Sequence, residues 1–276
     1  MEPIARLKQF FPHLWEAGLT ASGAEDLAAA LGGYPAAVDA AGAFLARLTS
    51  MEGEPERYLA GLRAVLASER DSIAEIATAS LWYPCLASSP FSVEGDLLSA
   101  LGLHHHRLGD LPGALAIFER ALAVDREVLG SGHPNVARDW NHLGLARRDR
   151  FDLPSAREAF ETAMAIAEDV HGGEHPYVAR YVNNLGTVLL DMGDAVGALA
   201  AFQRAFRIDT AAFGHDHVNV AIRASNLGNV LRLFDDFPEA RGAYLCAHDI
   251  FLRRLGPDHP NTRTVAANLL ALGDHG

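Results

Sequence analysis

The chain has 276 residues, 49% of them hydrophobic, a length that suits one extended domain or two compact ones. Its formal net charge of −12 repels phosphate backbones, so nucleic acid is not an expected partner. Cys85 and Cys246 lie far apart, which argues against a disulfide scaffold and favours a reducing compartment. No apolar run is long enough for a signal segment or a membrane span, so a cytoplasmic protein without membrane contact is predicted.

The first 50 residues predict a small helical region. Leu27, Ala28 and Leu31 share one helix face, and Gly32 with Gly33 ends that helix. Pro35 suits the first turn of a second, alanine-rich helix. The pattern also imitates a helix-turn-helix, but its second helix offers no Arg, Lys, Gln or Asn to contact DNA. A transcriptional regulator with this N-terminal motif is therefore an alternative only.

The segment LGGYPAAV at 31–38 resembles the Gly-Leu-Pro-Leu-Ala motif of NB-ARC-type STAND ATPases. The resemblance implies that residues 1–50 correspond to the helical domain of that family, with Pro35 near the nucleotide. The sequence contains no phosphate-binding Gly-x-x-x-x-Gly-Lys-Ser/Thr loop, and its only lysine is Lys8. ATP hydrolysis by this chain is therefore not expected, and a simple helical cap explains the same residues.

Residues 51–95 predict two further helices, over 55–66 and 68–81, followed by a turn-rich linker. Shifted by one repeat length, Ser68 falls on a helix-capping position and Ile76 on an aromatic position of the repeats described next. We interpret this pair as a degenerate repeat. An unrelated helical hairpin is the alternative.

Residues 96–276 contain a pattern that returns every 42 residues. Leu-Gly pairs begin at Leu101, Leu143, Leu185 and Leu227; alanines recur at Ala114, Ala156, Ala198 and Ala240 and again at Ala121, Ala163, Ala205 and Ala247; aromatic residues recur at Phe118, Phe160, Phe202 and Tyr244. A strict period in this range is the signature of a repeat array.

These residue types at these spacings resemble the tetratricopeptide repeat, and the 42-residue unit with its His-Pro linker is similar to repeats of kinesin light chains and bacterial STAND proteins. The resemblance implies an all-α, right-handed solenoid of four helix pairs, with a capping helix at 261–272. Glycine and alanine let the helices of a pair approach closely, and the aromatic residue fills the gap between repeats.

The helix boundaries follow from the residue types between the repeated positions. Helix N-caps are expected at Asp110, Asp152, Asp194 and Asp236, and helix ends at Gly130, Gly172, Gly214 and Gly256. Asp236 with Glu239 resembles a capping box. Histidines recur once per linker, at His133, His175, His217 and His259, which predicts packing or capping and no metal site.

Polar residues on the first helix of each pair are the candidates for binding. They are Arg138, Asn141, Arg180, Asn183, Asn184, Thr187, Ser225, Asn226, Asn229 and Arg232. Asparagine amides can bind an extended peptide backbone, and arginine can clamp a carboxylate. A merely solvated face is the alternative, but such faces usually carry Glu and Lys, because Asn is a poor helix former.

The sequence therefore predicts a protein-interaction module without catalytic residues, cofactor or metal. Its expected ligand is an extended peptide or protein segment, with acidic character as one option. The N-terminal resemblance suggests the sensor part of a bacterial STAND-type signalling or defence protein. A stand-alone scaffold or adaptor is the alternative, and homo-oligomers or association with an NTPase module stay open.

Overall fold

The structure is a computed structural model that describes residues 93–273. Within this range it contains nine α-helices and no β-strand, which confirms the predicted all-α fold. The helices are α1 Val93–Arg107, α2 Leu111–Leu129, α3 Pro134–Asp149, α4 Leu153–His171, α5 Pro176–Asp191, α6 Ala195–Phe213, α7 Val218–Leu233, α8 Phe237–Leu255 and α9 Pro260–Leu272. The predictions for residues 1–50 and 51–92, including Cys85, lie outside the described residues.

The helices alternate in length because the sequence repeats. Helices α3, α5 and α7 each have 16 residues, and α2, α4, α6 and α8 each have 19. We call the first helix of each pair helix A and the second helix B. The chain divides into two compact units, one ending at Ala146 and the other beginning at Arg147.

The predicted helix caps are confirmed. Each helix B begins at an aspartate whose side chain accepts a backbone N–H three residues later, at 2.8 Å for Asp194. Each helix B ends at a glycine with φ between 78° and 87°. The capping box at Asp236 is only half formed, because the Asp236 N–H donates to the Leu231 carbonyl and not to Glu239.

The linker histidines are also caps, as predicted. Nδ1 of His133, His175, His217 and His259 accepts the backbone N–H two residues later at 3.1–3.2 Å. A neutral imidazole that accepts at Nδ1 carries its proton on Nε2. Burial lowers the pKa of His133 and His175, which favours this neutral form.

In the pairs α1–α2, α5–α6 and α7–α8, the aromatic residue of helix B packs directly over the glycine of helix A. A Cβ placed on Gly102 would lie 2.4 Å from the Phe118 ring, and one on Gly228 would lie 2.6 Å from the Tyr244 ring. The sequence analysis predicted that this ring fills the gap between repeats; the structure shows that it also packs against the glycine of its own repeat. The ring occupies the volume that a larger residue on helix A would fill.

Helix α9 differs from the other A helices at this glycine position. Leu270 replaces the glycine, and its side chain is 78% exposed. The opposite side of α9 packs Val265 and Leu272 into the core formed by α7 and α8. Leu270 therefore places a large apolar side chain where the other A helices leave room for an aromatic ring.

Within residues 93–273, no helix is both long and apolar enough to cross a membrane.

Candidate peptide-binding face

The second unit brings most of the predicted binding residues onto two neighbouring A helices. We call this surface the asparagine face. It comprises Arg180, Asn183, Asn184 and Thr187 on α5, and Ser225, Asn226, Asn229 and Arg232 on α7. The A-helix spacing places these side chains on one side because residues three and four apart are neighbours on a helix.

A hydrogen bond between two asparagines joins the two helices. The Asn226 side-chain amide donates to Asn183 Oδ1 at 2.7 Å, and Asn183 Nδ2 lies 3.5 Å from Asn184 Oδ1. Asn183 is only 6% exposed. It is therefore placed to orient Asn226 and Asn184, with little of its own amide open to a ligand.

A second set of bonds continues this arrangement to α8 and α9. Asn229 Oδ1 accepts from the Tyr244 hydroxyl at 2.7 Å and from Asn268 Nδ2 at 3.3 Å. Asn268 was not among the predicted residues, although it follows Asn226 by one 42-residue repeat and the period could have identified it. Burial raises the pKa of Tyr244, which keeps its hydroxyl protonated as a donor.

Exposed arginines lie at the two ends of the face. The guanidinium of Arg180 lies over the rings of Tyr177 and Tyr181, at 5.0 and 5.1 Å from their centroids. Its Nη2 also donates to the Tyr181 hydroxyl at 3.3 Å. Arg232 is exposed in the last turn of α7. Stacking orients Arg180 while leaving charge at the surface for an anionic group.

Three smaller polar residues complete the face. Thr187 donates its hydroxyl hydrogen to the Asn183 carbonyl at 3.1 Å, so the hydroxyl is left as an acceptor. Asn184 and Ser225 are half-buried. The face therefore offers donors and acceptors that the surrounding hydrogen bonds already hold in place.

In the first unit the two predicted residues are held inward. Asn141 is only 5% exposed. Arg138 forms ion pairs with Asp96, with Asp125 at 3.1 Å and with Asp139 at 3.2 Å. The sequence analysis predicted that this guanidinium clamps a ligand carboxylate; in the structure it is paired with three carboxyl groups of the chain itself.

This buried cluster changes the acidity of its members. The pKa of Asp139 is raised to about 8, mainly by burial and also by the neighbouring Asp125, against the lowering effect of Arg138. Burial also opposes the charge of Arg138, but the three carboxylates outweigh it and raise the arginine pKa. Ser99 donates its hydroxyl to Asp139 Oδ1 at 2.5 Å. One partly exposed guanidinium thus faces three carboxyl groups, and Asp139 binds its proton more tightly than an ordinary aspartate does.

Asp139→Asn is expected to remove a pH dependence of stability. The folded pKa of Asp139, about 8, lies above its ordinary 3.8, so the folded state holds a proton that the unfolded state releases. Stability from this group is therefore complete at low pH and is lost as pH rises towards 8. Asparagine mimics the protonated acid, because its oxygen can accept from Ser99 and Arg138 while its NH₂ replaces the acid O–H as a donor.

Denaturant unfolding between pH 4 and 8 measures this effect. The free energy of unfolding of the variant should rise relative to that of the native chain as the pH increases, by about 1 kcal/mol per pH unit. The exposed substitution Asp258→Asn is the matched control and should give a curve parallel to the native one. Parallel curves for Asp139→Asn would contradict a proton held on Asp139.

The second unit contains a buried ion pair that the sequence analysis missed. Arg223 Nε donates to Asp209 Oδ2 at 2.9 Å, with side chains 8% and 0% exposed. Burial raises the pKa of Asp209 and lowers that of Arg223, each against the effect of its partner. One repeat later, Phe251 and Val265 occupy these two positions in a shared apolar core. A pair of opposite charges at two positions that are apolar in the following repeat was the available signal.

The histidines do not assemble a metal centre in the described part of the chain. The rings of His171 and His175 stack with centroids 4.5 Å apart, although glycine interrupts the helix between them. Nδ1 of His175 is occupied by its capping bond. No group of three or more His, Cys, Asp or Glu side chains between residues 93 and 273 could hold a metal ion.

Paired helices of nearly constant length, with a capped turn in each pair and a glycine under an aromatic ring in the α1–α2, α5–α6 and α7–α8 pairs, define an α-solenoid of tetratricopeptide type. The family model described as "Tetratricopeptide repeat" matches residues 94–169, 139–211 and 181–253. The chain therefore belongs to the tetratricopeptide-repeat family. Among curated protein sequences, none matches it.

Solved structures with this fold are similar to the chain. BtubC (BKLC) from P. vanneervenii superposes with a TM-score of 0.61 at 20% identity, over 75% of this chain and 81% of the other. A putative kinesin light chain with nearly identical TPR-like repeats from Podosopora anserina gives 0.56 at 18% identity, over 64% and 84%. Apo RapI gives 0.57 at 15% identity, over 66% and 64%. At these identities the likeness supports the fold, including its similarity to kinesin-light-chain-type repeats.

Proposed function

We propose that the asparagine face binds an extended peptide or protein segment of a partner. Tetratricopeptide repeats are protein-interaction modules, and this chain contains them. The observation that carries the proposal is the hydrogen bond from Asn226 to Asn183, which holds side-chain amides in place across two helices. Amides that are already ordered lose little conformational entropy when a ligand binds.

The individual residues support different parts of this interaction. Asn184, Asn226 and Asn229 carry side-chain amides for the backbone of the ligand. Arg180 and Arg232 are exposed cations for acidic groups near its two ends. Asn183 is assigned a supporting role because it is buried. Arg138 and Asn141 are not assigned ligand contacts, because the structure engages or buries them.

Arg180→Ala combined with Asn226→Ala is expected to weaken binding roughly ten-fold or more, since a charged clamp and an ordered amide are both removed. The ligand is a peptide selected on the full chain from a random display library, and its affinity is measured by fluorescence anisotropy. Arg241→Ala combined with Asn261→Ala is the matched control, with the same residue types on α8 and α9.

The control variant should keep the native affinity within roughly two-fold, because distant sites act independently. Equal affinities for both double variants would overturn the assignment of the peptide to the asparagine face. Circular dichroism and thermal unfolding of each variant confirm that any loss of affinity reflects the altered surface.

We further propose that this module serves as the sensor part of a STAND-type protein. Support comes from the LGGYPAAV segment at 31–38 and from the 42-residue repeat length. The sequence upstream of Met1 and in neighbouring genes tests it. An NB-ARC core there supports the sensor role, and a neighbourhood without one leaves a scaffold or adaptor as the function.

A further inference from the structure

Exposed apolar side chains line the turns that join helix A to helix B in the second unit. We call this surface the turn edge, and it comprises Phe151, Met192, Val196, Leu233 and Phe234. Phe151 is 86% exposed, Val196 71% and Leu233 58%. None of these residues belongs to the asparagine face, so a role for the turn edge does not depend on the function proposed for that face.

Two contacts show that these turns lie side by side. Arg148 near the end of α3 donates to Asp191 at the end of α5, at 2.6 Å. Leu189 and Ala195, on either side of the α5–α6 turn, pack in one apolar cluster with Val230 near the end of α7. The three turns at 150–152, 192–194 and 234–236 therefore form one continuous edge.

Phe151 is an unusual residue for its backbone conformation. Its φ is 62°, in the left-handed region, where the equivalent residues are Gly109, Gly193 and Asp235. Glycine adopts this conformation freely and aspartate tolerates it, whereas a bulky side chain is strained there. The exposed ring also keeps apolar surface in water. Folding requires neither the strained backbone nor the exposed ring, since glycine occupies the equivalent turn at Gly109 and Gly193. Backbone strain that folding does not require indicates a functional role.

The charges around the turn edge decide which partner fits. Asp194, Asp235 and Glu239 are exposed beside its apolar residues, and Arg148 is already paired with Asp191. The exposed Arg150 lies next to Phe151 and the exposed Arg232 next to Leu233, so the acidic part of the edge is the surface around Asp194, Asp235 and Glu239. A second copy of this chain would bring two acidic edges together, and phosphate-bearing surfaces would be repelled as well.

We propose that the turn edge docks a basic amphipathic segment of another protein. The bulky apolar residues of this segment would cover Phe151, Val196 and Phe234. Its lysines or arginines would lie beside the exposed carboxylates of Asp194, Asp235 and Glu239. Apolar contact supplies most of the affinity, and the opposite charges select the partner.

Phe151→Gly tests this docking surface with the residue that the equivalent turns already carry at Gly109 and Gly193. Glycine relieves the strained backbone, so the melting temperature should rise by about 2–4 °C. The probe is a short labelled peptide that alternates Leu and Phe with Lys and Arg, titrated with the full chain at physiological salt in an anisotropy assay. Phe151→Gly combined with Val196→Ser should weaken its binding roughly ten-fold.

Two matched controls accompany this titration. A peptide with the same apolar residues but Glu and Asp in place of the basic ones should show no saturable binding. The Arg180→Ala, Asn226→Ala variant of the asparagine face should bind the basic peptide within roughly two-fold of the native chain.

Three results would overturn the proposal. The acidic peptide could bind as well as the basic one, or the turn-edge variant could keep its native affinity. The native chain could also form dimers that Phe151→Gly dissociates in analytical ultracentrifugation, which would assign the edge to self-association. The affinity of the asparagine-face variant for the peptide selected from the display library tests only the function proposed for the asparagine face.

Discussion

Arg223→Val is expected to lower the free energy of unfolding by about 3–5 kcal/mol, the cost of leaving one partner of a buried ion pair alone. Asp209 is fully buried, and among the described residues its Oδ1 has no hydrogen-bond partner. Removing the guanidinium leaves this carboxylate without its ion-pair partner. Chemical denaturation at neutral pH measures the loss.

The chain itself supplies the control for this experiment. One repeat later, Phe251 and Val265 occupy the positions of Asp209 and Arg223 and pack in an apolar core. Asp209→Phe combined with Arg223→Val copies that solution and should recover most of the stability, because well-packed apolar residues can replace a buried ion pair. A double variant as unstable as the single one would show that the pair is required for packing in this layer.

Gly228→Ala is expected to destabilise the fold by about 1–3 kcal/mol through overpacking. The new Cβ would lie 2.6 Å from Tyr244 Cε1 and 2.9 Å from Cζ. The ring cannot retreat, since Tyr244 is fully buried and its hydroxyl is bonded to Asn229. Ala is the better helix former by about 1 kcal/mol, so the clash must exceed that gain for the variant to be destabilised.

Gly242→Ala is the matched control for this clash. Gly242 also lies within a helix, but a Cβ added there would meet no atom within 4 Å. Its replacement should stabilise the chain by up to about 1 kcal/mol, through helix propensity alone. Thermal and denaturant unfolding of the two variants should therefore move in opposite directions. If both variants were stabilised or both destabilised, the contact between the glycine and the aromatic ring would not limit the packing of a helix pair.

The repeats, the helix caps and the all-α fold could be predicted from sequence because each depends on residues close together in the chain. Asp194 caps α6 through a bond to an N–H three residues later, and His175 caps α5 through one two residues later. The 42-residue period then identifies the same local solution in each repeat. The conformation of Phe151 could not be predicted in this way, because a left-handed φ is unexpected for phenylalanine.

The candidate site was only partly predictable. Periodicity placed Asn183 and Asn226 on the same side of their helices, yet it could not show that one amide donates to the other. It also left out Asn268, whose bond to Asn229 joins α9 to the face. These contacts connect residues 39 and 43 positions apart, so they depend on how the helices are packed.

Arg138 and Arg180 show what the sequence determined and what the tertiary structure determined. They occupy the same position in successive repeats, and the sequence by itself determined that both lie on a helix A, because local periodicity and capping are sufficient for that. Only the tertiary structure decided that Arg138 is surrounded by Asp96, Asp125 and Asp139, while Arg180 is stacked on tyrosine rings at the surface. The physical reason is that Asp96 and Asp125 lie on α1 and α2, and the repeat pattern does not specify how closely those helices approach Arg138.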